Sequence, residues 1–226
     1  LTLLETERAK RRLAALDHHT ILVGSGALAR RLSRELTAKD DDLVQATVLV
    51  LVHEPQKVSQ TDFEDRDVCT LVGDALEDST WDESRLGDAR QVFLLCEDET
   101  ENEALAHFLL DRLEQAPPER ALDIHVALSE RLSVHVDDAL LARQTDQIRL
   151  HLVAPLQVAA RHFFSVYPAY QQRLPKAGDR AAHLLVLGFN EFGQHLLSQA
   201  IRMAHYLDGE RPRVTVVDDE NKRDWN

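Results

Sequence analysis

Short apolar runs recur along the chain, each of strand length and each followed by a polar or amphipathic stretch. They are Thr20–Val23, Thr47–Val52, Val68–Val72, Gln91–Cys96, Ala121–Leu128 and Ile148–Val153. A strand exposed on one face alternates apolar with polar residues, whereas a strand covered on both faces reads as a continuous apolar run. The segments between the runs carry helical spacing, as in Ala27 to Ala38 and most clearly in Glu99 to Gln115, where Leu105, Leu109 and Leu113 recur. Asp98 followed three residues later by Glu101 is a capping-box pattern at the start of the latter. Strands alternating with helices imply βαβ units. The expected fold of residues 19–154 is therefore α/β, a doubly wound parallel sheet of six strands.

The flanks are organised differently. Residues 3–16 read as an amphipathic helix with Leu3, Leu4, Ala9, Leu13 and Leu16 along one side, so residues 1–18 are expected to be a helix and linker from an upstream region. Pro155 suits the first turn of a further helix, and Pro168, Pro175 and Gly178 mark a linker, giving a crossover segment over 155–181. The chain then starts again. An offset of 164 residues places His183 on His19, Gly188 on Gly24, Gly193 on Ala29 and Asp218 on Glu54. Fixed-offset similarity marks tandem repeats, and 182–226 is expected to begin a second unit of the same kind, cut after one strand–helix–strand. The missing initiator Met likewise suggests a processed or excised chain.

Charge and cysteine content narrow the function. Lys and Arg number 26 against 39 Asp and Glu, a formal charge of −13. Nucleic acids and anionic membrane surfaces both require a basic face, so neither is an expected partner. The two cysteines, Cys69 and Cys96, lie inside apolar runs and read as reduced core thiols of a cytosolic protein. No apolar run is long enough to span a bilayer, and no signal-peptide core is present.

Gly24-Ser25-Gly26-Ala27-Leu28-Ala29 is a G-x-G-x-x-A pattern between a strand and a helix. The first glycine permits the tight turn and the second lets a phosphate reach backbone N–H groups at the helix start. The small third residue allows close helix–strand packing. Glu54 follows the second strand, where a carboxylate can accept both hydroxyls of a ribose; it reads equally as a solvated acid, and His53 takes its place if the register slips by one. An acid there repels a 2′-phosphate, so NAD or an adenine nucleotide is expected over NADP. Gly73-Asp74-Ala75 ends the third strand and Cys96-Glu97 the fourth, both at the carboxyl edge where open α/β sheets bind ligands. Residues 61–103 hold fifteen acids and three arginines. Most are solvated, and a subset facing one edge could bind a divalent cation through oxygen ligands.

The segments ILVGSGALARRL, VLVLVHEP, LVGDALEDSTW and FLLCEDETEN together resemble the TrkA-N, or RCK (regulator of potassium conductance), nucleotide-binding domain. The match of Gly73-Asp74-Ala75 is its most specific part, with Asn102 in the helix after the fourth strand. The resemblance covers 19–153 and recurs in outline at 183–218. It implies a Rossmann-like regulatory domain that binds NAD(H) or an adenine nucleotide (ATP, ADP or AMP) at Gly24, Ser25, Gly26, Ala27, Leu28, Glu54, Gly73, Asp74, Ala75, Cys96 and Glu97. It also implies a homo-oligomer that controls a potassium or other cation channel or transporter, in the same full-length chain or as a partner, at the cytoplasmic face of the membrane. Ala29 stands where the family has a third Gly, Cys96 where Thr is usual, and Glu54 where Asp is usual. In the second copy Asn190 occupies the second-glycine position, where its side chain would obstruct a pyrophosphate.

The remaining residues are read as structural. His18 and His19 precede a strand, which favours one histidine at the sheet surface over a metal site; Arg30 and Arg31 are surface arginines within reach of a phosphate; Trp81 and Phe93 are core. A rival reading is an NAD-dependent oxidoreductase, which needs a proton donor near the nicotinamide. Tyr167, Tyr170 and Tyr206 each lack a Lys four residues later, so the Tyr-x-x-x-Lys pair is missing. A sensor with no chemical step acts only if its ligand binds two conformations unequally. Leu156, Ala159, Ala160, Phe163 and Phe164 form an apolar helical stripe that needs a partner or its own sheet to cover it.

Overall fold

A computed structural model describes residues 11–38, 47–52, 68–129, 140–167, 183–203 and 213–218. The chain divides into two compact units, Leu1–Val153 and Ala154–Asn226.

In the first unit, six parallel strands form one sheet: β1 (Thr20–Val23), β2 (Val48–Val52), β3 (Val68–Val72), β4 (Gln91–Leu94), β5 (Leu122–Ala127) and β6 (Ile148–Val153). Their spatial order is β3-β2-β1-β4-β5-β6. Every residue of β1 and β2 is buried, which is why those segments read as unbroken apolar runs. Helix α1 (Ala27–Thr37) covers one face, where Leu32 and Leu36 pack with Leu22, Val48, Val50 and Val52. Its buried line is Ala29, Ser33 and Thr37, small residues that let the helix approach the strands closely. The two hydroxyls are satisfied by the helix itself, Ser33 Oγ donating to the Arg30 carbonyl and Thr37 Oγ1 to that of Ser33. On the opposite face, α2 (Asp78–Glu83) and α3 (Glu99–Gln115) bring Trp81, Leu105, Leu109 and Leu110 against Ile21, Leu49, Leu94 and Ile124. The doubly wound arrangement expected from the apolar runs is thus the observed one. Leu13 and Leu16 belong to this second cluster, so the described part of the amphipathic N-terminal segment packs on the domain; residues 1–10 lie outside the described residues.

The end of the fourth strand differs from the expectation. β4 ends at Leu94 rather than Cys96, because the Cys96 N–H turns away from the ladder to the side chain of Asn102. Asp98 is the N-cap of α3, and the N–H and hydroxyl of Thr100 both donate to its Oδ1. Phe93 is half-buried and packs against the core cluster on the α1 face. It alternates to the face away from Val92 and Leu94 and stacks on His125, which stacks in turn on His151, with centroids 4.3 and 4.7 Å apart. Trp81 is fully buried, as expected.

Of the two histidines before β1, His18 is exposed and His19 is fully buried. Its Nε2 faces the Ser84 carbonyl at 2.9 Å; since a carbonyl only accepts, Nε2 carries the proton. Nδ1 is buried with no hydrogen-bond partner. Burial therefore lowers the pKa of His19 below its ordinary 6.5. The unfolded chain then takes up a proton that the folded chain refuses, so this histidine's contribution is complete above about pH 6.5 and is lost as pH falls below it. Burial lowers the pKa of His125 in the same direction. Urea midpoints measured at pH 7.5 and 5.5 should fall with acid in the parent chain and fall less in His19→Gln.

The second unit contains α4 (Pro155–Val166), β7 (His183–Leu187), α5 (Glu191–Met203) and β8 (Arg213–Val217). β7 and β8 are parallel, with His183 opposite Arg213, and α4 packs on α5. From His183 onward the described elements follow in the order strand, helix, strand. Of the crossover segment expected over 155–181, residues 168–181 lie outside the described residues.

Candidate functional site

The site is built where the winding of the sheet reverses. β1 has β2 on one side and β4 on the other, and a crevice at the carboxyl ends of such a pair is where open α/β sheets place ligands. Three connections meet there. The Gly24 N–H donates to the Leu51 carbonyl, the Leu95 N–H to that of Val23, and the Gly73 N–H to that of Val52. The turns after β1, β3 and β4 are thereby fixed at one edge.

Gly24 has φ +121°, and a Cβ there would lie 2.6 Å from the Leu95 carbonyl oxygen. It is glycine both for its backbone angle and because the end of β4 passes against it. Gly26 is different. It is the N-cap of α1 in ordinary extended backbone, with no side-chain capping bond and no acid in the first helical turn. The helix start therefore keeps N–H groups directed at the edge, the arrangement that receives a phosphate. A Cβ on Gly26 would lie 2.9 Å from Cγ and 3.0 Å from Oε1 of Glu97. The space left by this glycine holds the Glu97 side chain.

The other expected residues divide by role. Leu28 is exposed on the first turn of α1 and Ser25 is half-buried beside it. Gly73 passes close to Thr80, whose Oγ1 would lie 2.8 Å from an added Cβ. Asp74 is exposed, and its Oδ1 accepts from the Leu76 N–H at 2.8 Å, an Asx turn. Ala75 is fully buried and its carbonyl accepts from Trp81 Nε1 at 2.7 Å. Its side chain faces the core, and Asp74 is the exposed residue of this corner. Cys96 is half-buried and Glu97 exposed at the end of β4. Glu54 and His53 lie outside the described residues.

Asn102 is the residue whose weight the sequence understated. It is buried on α3; its Oδ1 accepts from the Cys96 N–H at 2.8 Å. Its Nδ2 donates to the carbonyls of Cys96 and Ala127 at 3.0 and 2.9 Å. One side chain thus ties the ends of β4 and β5 together. A Thr/acid turn leading to an Asn-containing helix was visible, but not that this amide reaches across to β5.

The second repeat uses the same turn for a different end. Gly188 has φ +82°, matching the left-handed turn of Gly24. Asn190, in place of Gly26, accepts the Gly193 N–H on its Oδ1 at 2.9 Å. The helix start is therefore capped by its own side chain, where α1 is not.

Among the described residues, no group of three or more His, Cys, Asp or Glu is placed to hold a metal ion, and no helix is long and apolar enough to cross a membrane. A cavity of about 410 Å³ lies at the other edge of the sheet, beside the amino ends of β4 and β5, lined by Trp81, Arg85, Arg112 and Arg120 among others. Its arginines are engaged: Arg112 with Asp78 and Asp82, Arg85 with Asp88, and Arg120 with Asp17.

Residues 20–128, just under half of the chain, match the model of the TrkA-N domain. No curated protein sequence matches the chain. Among solved structures, the GsuK RCK domain aligns with 94% of this chain and 58% of its own length at 10% identity and a TM-score of 0.57. GsuK bound to ADP aligns with 94% of this chain at 12% identity and a TM-score of 0.54. The chain spans 46% of that structure. The TrkA-N domain of the inner membrane protein ybaL from Escherichia coli aligns over 67% of this chain and 98% of its own at 16% identity, with a TM-score of 0.47.

Proposed function

Residues 20–128 form a TrkA-N domain, and from that premise we propose that the chain is a regulatory module that binds NAD(H) or an adenine nucleotide and performs no chemistry on it. The phosphates lie over Gly24–Leu28, the ribose near Glu54 and the base near Asp74. The observation that carries this reading is the uncapped start of α1 at the crevice between β1 and β4. A similar fold in GsuK is found with ADP.

The module acts on a potassium or other cation channel or transporter at the cytoplasmic face of the membrane, as part of a homo-oligomer. GsuK is described as a channel, and the fold likeness covers 94% of this chain. The stripe on α4 divides between Ala160 and Phe164, which are buried, and Leu156 and Phe163, which are exposed. Phe163 is thus the residue offered to another subunit.

Gly26→Val tests the site. The backbone at Gly26 suits any residue, and what a side chain would meet is the flexible end of Glu97, so the variant should fold. It should nevertheless lose about a hundredfold in affinity for NADH and ADP, equivalent to about 2.7 kcal/mol, because the branched side chain fills the phosphate approach. Calorimetric titration showing parent-like affinity in folded Gly26→Val overturns the assignment.

A further inference from the structure

The Glu97 side chain lies against Gly26 at the start of α1. With Oε1 3.0 Å and Cγ 2.9 Å from the point where a Gly26 side chain would begin, its carboxylate stands at the positive end of a helix that has no acid of its own in the first turn and no side-chain cap. A carboxylate is favoured there for the same reason a phosphate is. The two anions cannot share the position, and each further negative charge on the incoming ligand raises the cost of leaving Glu97 ionised beside it.

We propose that Glu97 is a specificity-determining residue, whose carboxylate beside Gly26 selects ligands by phosphate charge. The inference rests on the nucleotide reading above and adds the class of nucleotide. A pyrophosphate esterified at both ends carries about two negative charges at neutral pH, and a terminal phosphate adds roughly one more for each extra acidic oxygen. The doubly esterified pyrophosphate of a dinucleotide is therefore the favoured ligand, and a free triphosphate is discriminated against. Glu97 is exposed and belongs to neither core cluster, so its charge can be removed without removing packing. The second repeat differs in kind. There Asn190, a neutral group fixed in the turn itself, caps the helix and does not yield to a ligand by swinging aside.

The test is calorimetric titration of the whole chain and of Glu97→Gln with NADH, ADP and ATP in magnesium-free buffer. Glu97→Gln keeps the shape of the side chain and removes its charge. Affinity for ATP should rise about tenfold and that for NADH by no more than about threefold, with ADP between them. Equal gains for all three ligands, or none, overturn the charge-selection role while leaving the nucleotide site in place. If neither protein binds any of the three, the nucleotide reading fails and this inference with it. A matching thermal midpoint for the two proteins is the check that the variant is folded.

Discussion

Gly24→Ala should cost the chain about 3 kcal/mol of stability or more, the largest effect of any single methyl group added at the site. Two penalties coincide at this position. The backbone angle of +121° is one that side-chain-bearing residues rarely adopt, which costs about 1–3 kcal/mol. The new methyl would also lie 2.6 Å from the Leu95 carbonyl oxygen and 2.8 Å from its carbon. Those atoms belong to the backbone at the end of β4 and cannot swing aside as a side chain can. Relief requires β1 and β4 to separate at the crevice itself. Gly188→Ala in the second repeat is the control, since its φ of +82° carries strain but an added methyl meets nothing within 4 Å. It should cost only about 1–2 kcal/mol. Denaturant unfolding of the two variants, followed by circular dichroism, should separate these values.

Asn102→Ala should be nearly as damaging, at about 3 kcal/mol. The truncation leaves the N–H and carbonyl of Cys96 and the carbonyl of Ala127 without the partners they have in the fold. The side chain is buried on α3, and alanine puts no polar group in its place. The effect should extend beyond stability. Cys96 and Glu97 form the wall of the crevice opposite Gly24 and Gly26, so freeing the end of β4 also frees Glu97. Hydrogen exchange should show the protection of Leu95 and Cys96 amides falling well before that of β1 and β2. Uniform loss across the sheet would mean that Asn102 supports the core rather than the edge.

The fold was legible because its strands are covered on both faces and advertise themselves as unbroken apolar runs. The turn at Gly24 was legible because a left-handed angle and a close backbone approach both demand glycine. What the sequence concealed are bonds from side chains to distant backbone, which leave no periodic trace. Strand alternation turns His18 and His19 to opposite sides, but the Ser84 carbonyl that meets the His19 ring is 65 positions away. Nothing local marks Ser84 as the partner. The Gly73-Asp74-Ala75 segment was read as wholly ligand-facing. Only Asp74 is exposed, while Ala75 faces inward and anchors Trp81 through its carbonyl. The role of Gly26 was likewise half visible. The need for space was clear, but not that Glu97 already stands in it.

An amide chemical-shift titration of the isotopically labelled chain with NADH and with ADP tests the central claim most directly, because it reports where a nucleotide sits. The account predicts shifts concentrated at Gly24–Leu28, at Gly73 and Asp74, and at Cys96 and Glu97, at the carboxyl edge between β1 and β4. Shifts confined to the opposite edge, around Arg85, Arg112 and Arg120, or no shifts at saturating nucleotide, would contradict it.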